Sequence, residues 1–506
     1  MPPRPDLPPA LPSKPSSVLH ELKALVQSMQ PVVAIETVEE ERVDGLLQAL
    51  AAELRLPLFT WTVTQGLRRT DGAGAVHGTA DPKLLLRHLA TLTVQGLFHL
   101  KDFTAHITDP TVVRAFRKAT QAFARTRSTL LLSGASIRLP DELARDAVPM
   151  RLHLPTRPEL RDLLTSVLKS LRSQRAFDVT LEPNDLDPLL DALTGLTLNQ
   201  ARQAITCAVL RDNALGPLDI PDLVARKGEA INDGGLLELY APTDNGFELG
   251  GFARLKTWLE RSRVGFGAEA EALGLPAPRG VLLVGVQGCG KSLAAKVIAR
   301  AWQQTLLKLD AGRLYDKYIG ETEKNLRKAL DIAEALAPSV LWIDEIEKAF
   351  ASGGEADGGV SRRLLGTFLT WMQERDAHVF VAATANDVSA LPPELLRKGR
   401  FDEIFYVGLP TEAERAEILR IHLGLRRQDA AAFDLQALTA ATEGFSGAEL
   451  EQAVVSGLYR AIHQREPLTT ALLVHEIGQT VPLSVSRHDD IARLVADLQS
   501  RFVPVA

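Results

Sequence analysis

Gly285-Val286-Gln287-Gly288-Cys289-Gly290-Lys291-Ser292 is the stretch of this 506-residue chain that decides its fold. It fits the pattern G-x-x-x-x-G-K-[ST], in which glycines let backbone N–H groups turn toward phosphate oxygens. Residues 281–284 (Val-Leu-Leu-Val) predict a buried strand before it, and residues 293–302 predict a helix after it. This context favours a nucleotide-phosphate loop over a ligand-free glycine turn. The residues that we expect to contact the nucleotide here are Gly285, Gly288, Cys289, Gly290, Lys291, Ser292 and Leu293.

The composition limits the class of protein. A chain of this length predicts about three or four compact units. The net charge of −6 offers no general basic surface for nucleic acid or an anionic membrane. Cys207 and Cys289 are far apart, so we expect neither a disulfide nor a zinc site, and a reducing compartment such as the bacterial cytosol. No apolar run reaches the roughly 18 residues of a membrane helix. Residues 1–17 are rich in proline and predict a disordered leader.

Two further apolar strands end in polar residues of the kind that ATP hydrolysis requires. Residues 339–343 are followed by Asp344 and Glu345, about fifty residues after the phosphate loop. Asp344 would organise Mg²⁺ together with Ser292, while Glu345 would polarise the attacking water. Residues 379–384 lead to Asn386, whose amide can hydrogen-bond that water or the γ-phosphate. An ordinary turn residue is the alternative interpretation of Asn386.

Two arginines three residues apart, Arg397 and Arg400, lie in the glycine-containing run 395–402. Guanidinium groups can stabilise the charge that develops on a transferred phosphoryl group. Without the surrounding motifs, this run would instead be interpreted as a solvated basic turn. Its assignment therefore depends on the family that the motifs indicate together.

Residues 245–460 resemble an AAA+ ATPase of the group that contains katanin, spastin and the membrane proteases. Residues 391–402 are similar to this group's second region of homology, with Pro392 in place of the usual aspartate. The resemblance implies that Arg397 and Arg400 act on the ATP of a neighbouring subunit. It also implies further contacts to the nucleotide, with Asn386 as the first sensor and Gly250, His422, Gly447 and Ala448 against the nucleoside and phosphates.

The same resemblance implies an assembly that acts on protein. Arginines that act on a neighbour require a ring or filament, so we expect a homo-oligomer, and for this group a hexamer. Residues 317–321 match the first pore loop, where Tyr318 and Ile319 would grip an extended polypeptide. The capped start of a helix is the other interpretation of this segment, and both can hold. The glycine-rich residues 351–360 are a weaker candidate for a second pore loop.

The first half of the chain repeats, in order, sequence signals of the second half. The matching segments are 139–145 with 391–397, 154–156 with 409–411, 177–178 with 433–434, and 195–197 with 444–446. Residues 36–41 hold four glutamates where glycines and a lysine would bind phosphate, and Lys101 lies where a carboxylate would be needed. We therefore predict a copy of the scaffold without its chemistry. Arg145 matches Arg397, but we expect it to form a structural salt bridge.

The whole arrangement resembles the hypothetical-reading-frame AAA+ proteins of plastid and cyanobacterial genomes, a family also found in many bacteria. Residues 31–42, 56–67 and 481–484 carry this resemblance. It implies an α/β fold of two tandem P-loop modules, each with a parallel αβα sheet and a small helical lid, the first module being degenerate. The predicted domains are a leader (1–17), a degenerate α/β domain (18–165), a helical domain (166–240), an ATPase core (245–410) and a C-terminal helical lid (411–506).

The leading functional hypothesis is a ring ATPase that uses ATP and Mg²⁺ to remodel or thread a protein partner. In this hypothesis the first half serves docking or assembly. An ATP-controlled switch or scaffold that threads nothing is the alternative. A nucleic-acid remodeller is disfavoured by the acidic net charge and the absence of an aromatic and basic stripe. We expect Cys289 to be a plain small residue of the loop rather than a redox sensor.

Overall fold

The computed structural model describes residues 18–72, 74–135, 137–233, 235–240, 248–314, 321–350, 360–375, 378–397 and 399–505. The predicted leader lies outside these residues, as do Tyr318 and Ile319 of the first candidate pore loop and residues 351–359 of the second. The chain divides into two compact units, one of residues 1–154 with 197–199 and one of residues 155–196 with 200–506. Among the described residues, no helix has the length and apolar character that crossing a membrane requires.

The described residues form strands and helices throughout both units. The strands are β1 (Val32–Glu36), β2 (Leu58–Thr62), β3 (Gly66–Arg69), β4 (Leu97–Lys101), β5 (Thr129–Gly134), β6 (Ala147–Arg151), β7 (Asp178–Val179), β8 (Ala214–Leu215), β9 (Leu237–Tyr240), β10 (Gly280–Gly285), β11 (Thr305–Leu309), β12 (Ser339–Ile343), β13 (Val379–Ala385), β14 (Glu403–Val407) and β15 (Val503–Pro504). The α-helices are α1 (Val18–Gln27), α2 (Glu40–Leu54), α3 (Pro82–Leu89), α4 (Pro110–Thr126), α5 (Asp141–Ala144), α6 (Arg157–Gln174), α7 (Leu186–Leu193), α8 (Leu198–Asp212), α9 (Ile220–Asp233), α10 (Ala253–Ser262), α11 (Ala268–Ala272), α12 (Lys291–Trp302), α13 (Ala311–Leu314), α14 (Glu321–Ala335), α15 (Ile346–Phe350), α16 (Val360–Glu374), α17 (Glu412–Leu425), α18 (Leu435–Ala441), α19 (Gly447–Gln464), α20 (Thr470–Gly478), α21 (Leu483–Ser486) and α22 (His488–Arg501).

The first unit contains a six-stranded sheet in the order β3-β2-β4-β5-β1-β6. Its strands pair in parallel except for the β2–β3 hairpin, which is antiparallel. The central strands are continuous apolar runs because both faces of the sheet are covered. Val32 packs into the core on one face, with Trp61 and Phe98, and Val33 packs into the core on the other.

The second unit contains a seven-stranded sheet in the order β15-β14-β10-β13-β12-β11-β9. It is parallel except for β9, which runs antiparallel to β11. Strand β10 is buried along its whole length. Its alternate residues Leu282 and Leu283 belong to separate cores on the two faces of the sheet. The helices α17 to α20 that follow the sheet strands form a smaller core of their own, around Leu419 and Leu450.

The two sheets share one order of parallel strands. If the parallel strands of each sheet are numbered in chain order, the second sheet has the order 5-1-4-3-2, formed by β14-β10-β13-β12-β11. In the first sheet, β6-β1-β5-β4-β2 follow the same order. This agreement supports the internal repeat that the sequence predicts. The sheets differ at their edges, where the first adds β3 and the second adds β9 and β15.

The helical segment between the two sheets differs in detail from its prediction. The boundary predicted between residues 165 and 166 falls inside the continuous helix α6. Strand β9, at the end of the predicted helical domain, pairs with β11 of the second sheet, with Tyr240 opposite Leu306. The residues before β9 are mainly helical, in α6 to α9, and include the two short parallel strands β7 and β8. The exact limits of the remaining domains stay predictions.

Candidate nucleotide site

The phosphate loop leaves the end of β10 and enters α12, in the strand–loop–helix context that the sequence predicts. Gly285, Gly288 and Gly290 have φ angles of 140°, 78° and 90°, in the region that favours glycine. A Cβ atom at Gly285 would lie 2.1 Å from the carbonyl oxygen of Val407 on β14. Because that neighbour is backbone, it cannot move aside for a side chain. The loop conformation therefore depends on glycine at these positions.

The side chain of Lys291 is buried inside this loop. Its Nζ atom donates hydrogen bonds to the carbonyl oxygens of Gly285 and Val286, at 2.8 Å and 2.7 Å. Burial lowers the pKa of Lys291 to about 8, although nearby acidic groups, among them Glu347 and Asp344, act in the opposite direction. The ammonium group is thus desolvated, and no carboxylate of the described residues forms an ion pair with it. A phosphate group would supply the missing negative charge.

Two hydroxyl groups converge on one oxygen of Asp344, which directly follows β12. Ser292 Oγ donates to Asp344 Oδ1 at 2.8 Å, and Thr384 Oγ1 donates to the same atom at 2.6 Å. Hydroxyl and carboxylate oxygens are the ligands that Mg²⁺ prefers. The described residues contain no group of three or more His, Cys, Asp or Glu side chains that could hold a metal. The carboxylate of Asp344 and the hydroxyl of Ser292 would leave the other ligand positions of an ion to phosphate and water, as is usual for Mg²⁺.

Glu345 is oriented from both sides of its carboxylate. Asn386 Nδ2 donates to Glu345 Oε1 at 2.8 Å, and the ammonium group of Lys348 contacts the other oxygen, Oε2. The backbone N–H of Glu345 donates to Thr384 Oγ1 at 3.0 Å. The residue adopts a φ of 50°, which turns the chain sharply after β12. The structure thus brings Glu345 and Asn386 together in an arrangement that can orient a water molecule.

Glu347 is a residue of this cluster that the sequence does not reveal. It is only 8% exposed, and its Oε1 atom accepts a hydrogen bond from the backbone N–H of Asn386 at 2.9 Å. Burial raises the pKa of Glu347, and backbone N–H groups partly offset this effect. Its second oxygen has no hydrogen-bond partner among the described residues. From the sequence alone, a glutamate at this place in α15 would be expected on the solvated surface of the helix. In the structure Glu347 is buried instead and holds the backbone of Asn386 in place.

A cleft of about 830 Å³ extends from the phosphate loop along the lid and the edge of the sheet. Its size suits a small-molecule ligand. Most of the residues predicted to contact the nucleotide line it: Gly250, Gly288, Cys289, Gly290, Lys291, Ser292, Leu293, Asp344, Glu345, Asn386, His422, Gly447 and Ala448. Gly285 lies behind this lining, where it supports the loop against β14. The lining also includes Thr384 and several residues near the C-terminus that the sequence does not predict.

The lid and the segment around Gly250 reach the cleft through close backbone contacts. A Cβ atom at Gly250 would lie 2.7 Å from Cγ1 of Ile418 on α17. The N–H of Ala448, in the first turn of α19, donates to the carbonyl oxygen of Gly288 in the phosphate loop at 2.9 Å. Burial lowers the pKa of His422, so its ring is neutral near pH 7 and can contact a nucleoside without adding charge.

The thiol of Cys289 fits the role of a small loop residue. It is 7% exposed. Burial raises its pKa to about 11, although the neighbouring Lys291 acts in the opposite direction. The reactive form of cysteine is the thiolate, so this thiol is poorly suited to redox sensing.

The two candidate arginine fingers do not line the cleft of their own chain. Arg397 is exposed, and Arg400 is half-buried. The Nη1 atom of Arg400 is buried and has no hydrogen-bond partner among the described residues. To act on a nucleotide, these guanidinium groups would have to reach the cleft of another chain.

At the corresponding edge of the first sheet the charges are exchanged: the lysine lies on a strand and the carboxylates lie on the helix. There the strand β4 carries Lys101, which contacts Glu40 at 2.7 Å and Asp44 at 2.6 Å, both on helix α2. Asp44 also lies 3.2 Å from the ring of His99. Burial alone would raise the pKa of Asp44 and lower the pKa of Lys101, because it disfavours the charged form of each group. The hydrogen bonds and opposite charges of these side chains outweigh burial, so the pKa of Asp44 is lowered and the pKa of Lys101 is raised. Of the four glutamates in residues 36–41, Glu40 is thus paired with Lys101, and Glu39 is paired with Arg42 at 3.0 Å.

Comparison with known proteins agrees with this geometry. Residues 281–409 match the ATPase family associated with various cellular activities (AAA). Residues 18–152 match the N-terminal domain of SpoVK-like AAA ATPases, and residues 158–234 match the second domain of the same proteins.

Relatives in plastids are similar over almost the whole chain. The uncharacterized AAA domain-containing protein ycf46 of Trieres chinensis is 34% identical over 478 residues, which covers 94% of this chain and 95% of the relative. The protein of the same name from Guillardia theta is 34% identical over 483 residues, 94% of each chain. The proteasome-activating nucleotidase of Pyrococcus horikoshii is 36% identical over 205 residues, which covers 40% of this chain and 51% of the relative.

Proposed function

The chain belongs to the ycf46 family of AAA domain-containing proteins and is an ATPase, and we propose that it forms a hexameric ring that remodels a protein partner. The observation that carries this proposal is the distribution of groups around the cleft. The buried Lys291, the hydrogen-bonded pair of Ser292 and Asp344, and the oriented Glu345 converge there, while the two arginines lie outside it. The chain therefore holds a nearly complete site that a second copy would complete.

We assign the local chemistry to residues of one chain. The phosphate loop and Lys291 bind the β- and γ-phosphates, and Ser292 with Asp344 holds Mg²⁺. Glu345 accepts a proton from the attacking water, because its carboxylate is held by Asn386 at 2.8 Å and is directed by the turn after β12. Bound Mg²⁺ would neutralise charge on the phosphates during the reaction.

We assign the remaining positive charge to a neighbouring copy. Arg397 and Arg400 would stabilise the charge that develops on the transferred phosphoryl group of the adjacent subunit. In the same proposal the contact between Ala448 and Gly288 transmits the state of the phosphate loop to the lid. ATP binding and hydrolysis would then alter the contact between successive subunits.

We propose that the partner is a protein because the Pyrococcus horikoshii relative is named for activating a proteasome. Residues 18–234, which precede the ATPase core, would serve docking or assembly. The candidate pore residues Tyr318 and Ile319 fall outside the described part of the chain, so threading rests on the sequence resemblance. Cytosolic location likewise rests on the sequence alone.

The ring is tested with Glu345→Gln, which should bind ATP but hydrolyse it slowly. In ATP and Mg²⁺, light scattering should give the mass of a closed oligomer of six chains. Lys291→Ala is the matched control, because it removes the phosphate contact and should not assemble in response to ATP. A Glu345→Gln protein that binds ATP and stays monomeric would contradict the proposal.

A second candidate, an ATP-controlled scaffold, is favoured by one observation. In the first unit Lys101 pairs with Glu40 and Asp44, so this edge of the sheet can serve as a passive platform as readily as a docking module. A scaffold should turn over ATP slowly, at a rate that unfolded proteins do not change. A remodelling ring should hydrolyse ATP faster when a client is present. Proteins retained on the Glu345→Gln oligomer supply the clients for this comparison.

A further inference from the structure

The last described residues of the chain form part of the candidate nucleotide cleft. Strand β15 pairs in parallel with β14, with Phe405 opposite Val503 and Tyr406 opposite Pro504. Helix α22 leads into this strand and packs against the sheet through Leu498, which is fully buried. Four side chains of this C-terminal segment line the cleft: Val495, Gln499, Pro504 and Val505. The family model for the AAA domain ends at residue 409 and does not include them.

Val505 connects two elements that flank the cleft. Its N–H donates to the carbonyl oxygen of Tyr406 on β14 at 3.0 Å, and its own carbonyl oxygen accepts from the N–H of Arg254 at 2.9 Å. Arg254 lies in the first turn of α10, where backbone N–H groups have no partner within the helix. Val505 is 5% exposed and belongs to the same apolar core as Leu249 and Phe252. One residue near the chain's end therefore ties the sheet edge to the segment around Gly250.

The chemistry of the lining indicates which part of a nucleotide meets this segment. The phosphates are accounted for by the loop, Lys291 and the first turn of α12. The remaining lining is largely apolar and includes Leu249, Ile418 and Ile421 together with Pro504. Apolar side chains can cover the flat faces of a base, but they offer nothing to a triphosphate.

We propose that Pro504 and Val505 form a wall of the base-binding end of the cleft and set the affinity of the protein for the nucleoside part of ATP. This inference rests on the proposed nucleotide site in the same cleft. It assigns a binding role to residues 503–505, whose sequence Val-Pro-Val carries no nucleotide-binding motif. The role is specific to the base end, so it can be separated from general support of the sheet.

The test compares ATP with inorganic tripolyphosphate, which has the phosphates but no base. Pro504→Trp places a large ring in the cleft at an exposed position, so the protein should fold. By calorimetry with Mg²⁺, its Kd for ATP should rise by about tenfold or more, while its Kd for tripolyphosphate stays within about twofold. Val503→Trp is the matched control: Val503 is 38% exposed and does not line the cleft, so both Kd values should stay near those of the unchanged protein.

A second pair of variants tests the hydrogen bond of Val505. Val505→Pro removes the N–H that donates to Tyr406, whereas Val505→Ala keeps it and removes only part of the side chain. ATP affinity should fall by about tenfold in the proline variant and less in the alanine variant. In both variants the affinity for tripolyphosphate reports whether the phosphate loop is still folded.

Two outcomes would overturn the inference. The first is unchanged ATP affinity in Pro504→Trp and Val505→Pro. The second is an equal loss of affinity for ATP and tripolyphosphate, which would show that the strand only supports β14, where Val407 accepts a hydrogen bond from Val286 of the loop. Lys291→Ala separates this failure from that of the proposed site. If Lys291→Ala still binds ATP normally, the nucleotide site itself is wrongly placed.

Discussion

Lys291 should make ATP binding depend on pH between 7 and 9.5. Burial places its pKa at about 8 in the protein without nucleotide. Only the protonated form offers the phosphates a positive charge, and bound phosphate raises the pKa of Lys291 in the complex. At pH 9 about one molecule in ten is protonated, so the apparent Kd should be about tenfold higher than at pH 7. At pH 9.5 the increase should reach about thirtyfold.

The stability of the nucleotide-free protein should change with the opposite sign. A lysine with a lowered pKa in the folded state opposes folding while it is charged, and this cost is relieved as the pH rises from about 8 toward the unfolded value of 10.5. ATP affinity instead decreases over the same range. The increase in melting temperature caused by a fixed ATP concentration should therefore shrink above pH 8.

The assay is a titration with a fluorescent ATP analogue and Mg²⁺ at several pH values. Lys291→Arg is the control, because a guanidinium group does not titrate in this range. Its binding should be weaker at pH 7 but independent of pH. Cys289 and Tyr406 also face the cleft, but burial raises their pKa values to about 11 and about 12, above the range measured. A flat profile for the unchanged protein, or the same slope in Lys291→Arg, would refute the assignment.

Three further substitutions test other parts of the structure. Glu347→Leu should lower kcat by about tenfold or more without changing the Kd for ATP, because it removes the oxygen that accepts from the N–H of Asn386 and leaves the phosphate contacts intact; stopped-flow phosphate release and calorimetry measure the two quantities. Arg397→Ala should be nearly inactive alone, yet mixing it with Lys291→Ala should restore ATPase activity, because mixed rings contain some intact sites; no recovery would contradict action on a neighbour. Lys101→Met should destabilise the first unit by about 1–3 kcal/mol in urea unfolding, since it leaves two carboxylates without their cation, and should leave ATP affinity unchanged.

The part of the site that follows local sequence rules could be predicted. The phosphate loop depends on glycines that must adopt positive φ, and Asp344 and Asn386 follow apolar strands whose carboxyl ends meet at one edge of the sheet. The same rules gave no signal for Thr384, which looks like an ordinary residue of a β-strand. Its role comes from donating to Asp344, which directly follows the neighbouring strand β12.

The strands at the two edges of the second sheet are the hardest to predict from the sequence, because contacts with distant residues also determine them. Strands β9 and β15 have only four and two residues, so neither is long enough for its sequence pattern to indicate a strand. Each is held in place mainly by pairing with a strand far away in the chain, β11 for one and β14 for the other. Pattern-based reasoning sees only neighbours in sequence, so it assigned β9 to a helical domain and gave β15 no role.

The two sheets together indicate why one of them carries the nucleotide site. In each sheet a helix follows the first parallel strand: α2 follows β1, and α12 follows β10. A charged residue lies opposite that helix at the end of the third parallel strand, which is β4 in the first sheet and β12 in the second. In the first unit the strand supplies Lys101 and the helix supplies Glu40 and Asp44, so the charges are paired and the pKa of the lysine is raised. In the second unit the helix supplies Lys291, which donates to the backbone oxygens of Gly285 and Val286, and burial lowers its pKa to about 8. The pKa of Lys101 is raised because carboxylates of its own unit already neutralise it. The pKa of Lys291 is lowered because it is buried against neutral backbone oxygens, and a bound phosphate would supply the negative charge.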